Sequence, residues 1–341
     1  MNHPRALLVA CAALLLGACA RGTPEPGEAT VLVYATPYSP AHPFSRADQE
    51  WMDFVEKRSG GRLRIRPNWQ GALLSSEHSL VELRHGVADI GLITPIYVKG
   101  GAHLIRVQSG FYSGADTVEE QVAMYRCLEA AHPQFARELH GLKVLAVQGG
   151  ILPGIVTRNH PVRTLGDLRG LRIRAPSELL GVLHDLGADP VNMPMGDVYS
   201  ALAKGVIDGV VAPMDTFRSL HFAEVAHWYT ELSVPRGAYP ARAMALERWE
   251  RLTDEEREVL EEGIPVWEAA LARQTRIAQQ EGLDAARAGG VEELPITPEE
   301  QQRFDELYLK EAQRGARELA RFDIDGEAVF ETARRCEREL R

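Results

Sequence analysis

Positive charge is in short supply: 38 Lys and Arg stand against 48 Asp and Glu, leaving a net charge of −10. Binding phosphates takes a cationic surplus, so nucleic acid is excluded as a partner. Long apolar runs are also lacking. Beyond residue 16 no stretch approaches the ~20 residues of a membrane-spanning helix. Catalytic signatures are missing too. There is no Walker loop, and Gly149 to Gly154 has neither the glycine spacing of a nucleotide turn nor its lysine. No G-x-S-x-G elbow or H-E-x-x-H pair occurs. His221 and His227, six apart, share no helix face, and nothing brings three or four metal ligands together. These absences predict a protein with no cofactor, no metal and no covalent step. An exported hydrolase using an acidic pair is the enzymatic alternative.

Cysteine is scarce, with four in 341 residues. Cys19 closes the N-terminal signal. Arg5 precedes an uncharged apolar run from Ala6 to Leu16, too short to span a bilayer and right for the core of a secretory signal. Leu16-Gly-Ala-Cys19 resembles the bacterial lipobox, which predicts a signal peptide over 1–19 and lipidation of Cys19. Ordinary cleavage beside an irrelevant cysteine is the alternative. Residues 20–29, rich in Pro, Gly and Glu, suit a flexible tether. Cys127 and Cys336 both fall in predicted helices. An oxidising compartment allows them to pair, and two buried thiols fit the sequence equally well.

What is present describes a soluble α/β protein. The chain is 45% apolar and 25% charged, enough for a core, and its length suits two domains. Val31 to Ala35 is a buried strand. A helix with Phe44, Ala47, Trp51, Phe54 and Val55 on one face follows, and Arg62 to Arg66 alternates as a half-exposed strand does. A helix over 76–85 then leads to a strand over 87–93. The pattern recurs with a strand over 171–174, helices over 178–186 and 196–204, and a strand over 206–211. Strands alternating with helices imply a largely parallel sheet. Leu83-Arg-His-Gly-Val-Ala-Asp89 and Leu202-Ala-Lys-Gly-Val-Ile-Asp208 share L-x-x-G-V-x-D, and each following strand reaches a proline, Pro95 or Pro213. Two domains built on one plan are the expectation. Ligands of open α/β sheets bind beyond the carboxyl ends of strands, which places Thr94 to Tyr97 and Ala212 to Asp215 on opposing walls of a cleft. The last third is helical. Thr253-x-x-Glu256 is a capping box opening a helix over 253–288, long enough to brace both domains, and Pro265 should kink or break it. Thr297-Pro-Glu-Glu300 starts another helix, and a final one covers 326–341. The domains are drawn as 30–152 with 240–280, and 153–239 with 281–325, with crossings near 150–156 and 236–242 as hinges.

Three ordered motifs then carry a resemblance. Gly170-Leu-Arg-Ile-Arg174-Ala-Pro176, Leu186-Gly-Ala-Asp-Pro-Val191 and Tyr199-x-Ala-Leu-x-x-Gly-Val-x-Asp-Gly209 resemble the solute-binding proteins of TRAP transporters, the DctP-type family. The resemblance implies a periplasmic-binding-protein-like fold, α/β, with a ligand cleft between two lobes. It also implies a small organic acid as ligand and a small and a large membrane permease subunit as partners. A lipid anchor through Cys19 would hold such a protein in the cell envelope. A sensory protein presenting its ligand to a membrane receptor would look the same. The motif's arginine, Arg174, is implied to grip the ligand carboxylate, and a guanidinium suits that task because its paired donors match both oxygens. Sialic-acid-binding members carry asparagine where this chain has Ala212 and a second arginine where it has Gly154. Charged positions of the family's first domain fall on Thr94 and Tyr97. The pocket is therefore expected to take a monocarboxylate with an apolar or aromatic body, with Tyr38, Trp69, Tyr97, Met214 and Tyr239 as walls. Asp215 either binds a ligand hydroxyl or amine or caps the helix at Thr216. Ser177 and Asn192 either contact ligand or satisfy backbone. Asp89 and Asp208 are expected to hold turn geometry.

Overall fold

The computed structural model describes residues 29–98 and 100–340; the lipobox, Cys19 and most of the tether lie outside them. The first lobe begins with β1 (Thr30–Ala35), α1 (Pro43–Arg58), β2 (Leu63–Asn68), α2 (Ser79–Arg84) and β3 (Ile90–Leu92). It continues through α3 (His103–Gln108), α4 (Val118–Ala131), α5 (Gln134–Glu138) and β4 (Leu142–Gln148). The chain then crosses to the second lobe: β5 (Gly154–Thr157), β6 (Arg172–Arg174), α6 (Leu180–Asp185), β7 (Asp189–Val191), α7 (Val198–Ala203), β8 (Gly209–Ala212), α8 (Thr216–Ser219) and β9 (Trp228–Thr230). It returns for β10 (Tyr239–Ala245) and α9 (Leu246–Glu250). The remaining elements are α10 (Asp254–Ala288), β11 (Glu292–Leu294), α11 (Pro298–Glu318) and α12 (Gly326–Leu340).

Two sheets result, in strand orders β2-β1-β3-β10-β4 and β11-β9-β5-β8-β6-β7. Each is parallel except for one strand. β10 runs antiparallel to β3 and β4, and β5 runs antiparallel to β8 and β9. Both exceptions are the first strand after a crossing. There the chain enters the sheet from the cleft side, so it runs opposite to strands that end at the cleft.

The repeated junction has the same construction in both lobes. Gly86 and Gly205 adopt φ of 73° and 69°, the left-handed conformation that ends a helix and that glycine adopts without strain. Gly86 N–H bonds Leu83 O and Val87 N–H bonds Glu82 O; Gly205 and Val206 bond Leu202 O and Ala201 O in the same way. The strand after Gly86 starts later than the apolar run suggests, at Ile90, because Val87 to Asp89 complete this turn.

α10 is continuous through Pro265, contrary to the expected break. The proline is exposed, as is Glu261, whose carbonyl lost its helical partner, so that carbonyl is not left in an apolar interior. The flanking turn is closely packed: a Cβ on Gly263 would stand 2.6 Å from Trp51 Nε1, so α1 lies directly against it. Further along, α10 packs on α8 of the second lobe. Its Gly282 abuts the Met214 carbonyl, so the helix touches both lobes. α12 lies on α4, and Cys127 and Cys336 are disulfide-bonded between them, with Cα atoms 6.2 Å apart.

Candidate functional site

Arg174 is the last residue of β6. Parallel pairing with β7 and β8 puts it at the carboxyl edge of the second sheet, and the side chain is only 2% exposed. Nε donates to the Met193 carbonyl at 3.0 Å, and Nη2 donates across the cleft to the Tyr97 hydroxyl at 2.6 Å. Ser177 Oγ adds a second bond between lobes, to the Ile96 carbonyl at 3.4 Å. Arg174 forms no ion pair among the described residues, whereas its strand neighbour Arg172 is exposed and paired with Asp189 at 2.9 Å. The acid that interacts with it, Glu178, is held partly neutral by burial, so the buried guanidinium is only partly compensated, which is costly, and an incoming anion would reduce that cost.

The cavity beside Arg174 is walled by Tyr38, His42, Phe44, Tyr97 and Tyr239, with Asp215, Glu178 and Arg236 contributing charge-bearing groups. Tyr38 stacks on His42 with ring centroids 3.9 Å apart and meets Phe44 edge-on. Tyr239 Oη accepts from Gln148 Nε2 at 2.9 Å, and burial pushes its phenol up to about 12. His42 is the N-cap of α1: its Nδ1 accepts the Phe44 amide at 3.2 Å. Burial, and then repulsion from Arg242, Arg46 and Arg236, lowers it to about 3, so this imidazole is neutral and its accepting nitrogen is occupied.

Both acids of the wall resist ionisation. Burial raises Asp215 to about 6 against the opposing pull of the Ser219 hydrogen bond and of Arg236. Burial raises Glu178 to about 7, with Arg174 and Arg236 pulling the other way. The cavity thus holds two arginines and two carboxyls whose ionisation burial opposes.

Of the residues expected at the site, Arg174, Tyr38, Tyr97, Asp215 and Tyr239 meet around this cavity. The others are placed elsewhere. Thr94 is buried inside the first lobe, its hydroxyl bonded to the Ser76 carbonyl and its amide to Ser79 Oγ at 3.0 Å. Trp69 packs edge-on against Tyr34 with centroids 6.1 Å apart. Ala212 and Met214 belong to an apolar cluster with Phe217 and Tyr229. Ser177 spends its hydroxyl on the opposite lobe, and Asn192 bonds the Ala175 carbonyl at 3.1 Å. Asp215 does not cap α8: it has helical φ and ψ and accepts instead from Ser219 Oγ at 2.9 Å.

Sequence reasoning did not single out His42, Glu178 or Arg236. Glu178 follows Ser177 in a single 3-10 turn, which carries it rather than Ser177 to the cavity wall. Arg236 lies in the loop Pro235-Arg-Gly237, where no periodicity marks it. Among the described residues, no helix is long and apolar enough to cross a membrane and no cluster of His, Cys, Asp and Glu could hold a metal.

The model of the bacterial extracellular solute-binding protein family 7, DctP, matches residues 34–317. The chain belongs to this family. As a DctP protein it is 26% identical over 263 residues to a solute-binding protein of Chromohalobacter salexigens, covering 73% of each chain. A TRAP solute binding protein from Rhodoferax ferrireducens T118, in complex with copurified benzoate, has a TM-score of 0.81 at 24% identity, covering 91% of this chain and 98% of that one. Another from Bordetella bronchiseptica, with bound (R)- and (S)-mandelate, has a TM-score of 0.79 at 21% identity, covering 92% and 100%. The DctP protein is a TRAP-type extracytoplasmic solute-binding protein with two α/β lobes and a cleft between them.

Proposed function

We propose that this protein captures a small organic monocarboxylate with an apolar or aromatic body, closes its lobes over it, and delivers it to the TRAP membrane subunits from a lipid anchor at Cys19 in the periplasm. One observation carries the choice of ligand: Arg174 is buried at the cleft, hydrogen-bonded but without a carboxylate partner among the described residues. The ring-rich wall of Tyr38, His42, Phe44, Tyr97 and Tyr239 supports an apolar body. The benzoate and mandelate bound by the two similar proteins are acids of that description. Lobe movement is assigned to residues 149–153 and 231–238, the two crossings outside any strand, since hinges are short segments that absorb large backbone changes. The first lobe is taken as 30–152 with 240–280 and the second as 153–239 with 281–325.

A thermal-shift screen of organic acids tests the reading. Saturating ligand adds ~3–4 kcal/mol of apparent stability at several hundred times its dissociation constant. Benzoate, mandelate or a related monocarboxylate should stabilise the protein, and Arg174→Ala should abolish the shift. Stabilisation only by polyhydroxylated or dicarboxylic acids would contradict the proposed pocket.

A further inference from the structure

We infer that Arg236 is a second anion-gripping group, carried by the hinge itself and seated in a slot that Gly150 leaves open. The inference rests on the carboxylate reading above and adds a residue to it. Arg236 lies on the return crossing between β9 and β10, and Gly150 on the outward crossing between β4 and β5. A Cβ built on Gly150 would stand 2.4 Å from Arg236 Cζ, 2.7 Å from Nε and 2.8 Å from Nη1. Carbon atoms do not approach that closely, so the guanidinium occupies the space where any other residue would place its side chain.

The guanidinium is held there loosely. Its hydrogen bond runs from Nη1 to the Ile151 carbonyl at 3.4 Å, the long limit for such a bond. It has no ion pair among the described residues. Yet it is central to the cavity's electrostatics. Arg236 pulls Asp215, Glu178, Tyr38 and Tyr239 down and repels a proton from His42. Five wall groups therefore feel this cation.

Arg174 leaves room for such a companion. Its Nε is committed to Met193 and one Nη2 proton to Tyr97, so it can meet an anion only with its end-on Nη1/Nη2 donors. A ligand anion has about four acceptor positions, and Arg236 is the other cation lining this cavity. An anion held by both arginines would join the second lobe's sheet to the crossing loops, so that ligand occupancy and hinge position become one equilibrium.

The experiment is calorimetric titration of the purified protein with benzoate and with mandelate, alongside Arg236→Gln, Arg236→Lys, Gly150→Ala and Arg174→Gln. Arg236→Gln should weaken the binding of whichever acid the unaltered protein takes by at least about tenfold, less than a fully buried charged contact because Arg236 is half-buried. Arg236→Lys should lie between, because it keeps charge and loses the planar fork. Gly150→Ala should cost about tenfold by displacing the guanidinium, with every charge kept. A merely structural arginine would behave differently: melting temperature would fall while affinity stayed within threefold, and that result overturns the inference. If the unaltered protein binds acid and Arg174→Gln abolishes binding while Arg236→Gln does not weaken it, only this inference falls. If the unaltered protein binds neither acid, the carboxylate reading falls and this inference with it.

Discussion

Asp89 and Asp208 make the same bond at matching points of the two lobes. Asp89 Oδ2 accepts the Val33 amide at 2.7 Å, and Asp208 Oδ2 accepts the Arg172 amide at 2.8 Å. The return bonds match as well, with Asp89 N–H on Val33 O and Asp208 N–H on Arg172 O. Each carboxylate thus fastens the turn after a helix to the strand beside it, β1 in one lobe and β6 in the other. In the second lobe that strand is the one ending in Arg174.

Losing either carboxylate should loosen a lobe. Hydrogen bonds to charged groups contribute ~1.5–3 kcal/mol, so Asp208→Ala should cost about 1–2 kcal/mol in urea denaturation. Asp89→Ala should cost more, because Arg248 also bonds Asp89, at 3.1 Å. Equal stability of all three proteins would remove the structural role assigned to this pair.

The cavity acids should make stability depend on pH. Glu178 rises from 4.5 to about 7 on folding and Asp215 from 3.8 to about 6. For a group raised in this way the folded form holds its proton longer, so stability is highest below the unfolded value and is lost as pH rises through the folded one. His42 works in the opposite sense. Lowered from 6.5 to about 3, it costs stability as pH falls below 6.5. Comparison with variants separates the contributions. Between pH 4.5 and 8 the ligand-free protein should lose about 2 kcal/mol relative to Glu178→Gln. Below pH 6.5 it should lose stability relative to His42→Gln. Denaturation midpoints at four or five pH values would show both trends, and parallel curves for parent and variants would refute them.

The most severe single change away from the cleft should be at Asp48. This acid on α1 accepts Arg242 Nε at 2.7 Å and Trp267 Nε1 at 2.8 Å on one oxygen, and the Tyr34 hydroxyl at 2.6 Å and Arg242 Nη2 at 3.1 Å on the other. Both charges are fully buried. Burial alone would lower the Arg242 pKa, and the Asp48 charge reverses that. Asp48→Ala strands a buried cation and should cost ~3–5 kcal/mol, read by calorimetric melting. Asp48→Asn keeps one accepting oxygen and should cost less. A loss under 1 kcal/mol for the alanine variant would contradict the network's importance.

Local patterns were legible where a residue's surroundings lie near it in sequence. The two L-x-x-G-V-x-D junctions, the capping box at Thr253 and the position of Arg174 at a strand tip all depend on a few neighbouring residues. β10 escaped notice for the opposite reason. Tyr-Pro-Ala-Arg-Ala-Met-Ala carries a proline and an arginine, yet all seven residues are buried, because the partner that neutralises Arg242 is 194 positions away. Arg236 lies in a crossing loop against Gly150, a neighbour far away in sequence, and His42 is hard to recognise as the N-cap of α1 because histidine is an unusual cap. Pro265 does not break its helix, because it sits on an exposed face, which the residue type alone does not reveal.

β10 lies between β3 and β4, in the interior of the first sheet, and it follows the whole β5-to-β9 excursion. A truncated chain ending at the outward crossing would therefore lack an inner rung of its own sheet, leaving β3 and β4 with bare edges. The two halves cannot mature in succession as beads on a string do. The first is completed only after the second has been laid out.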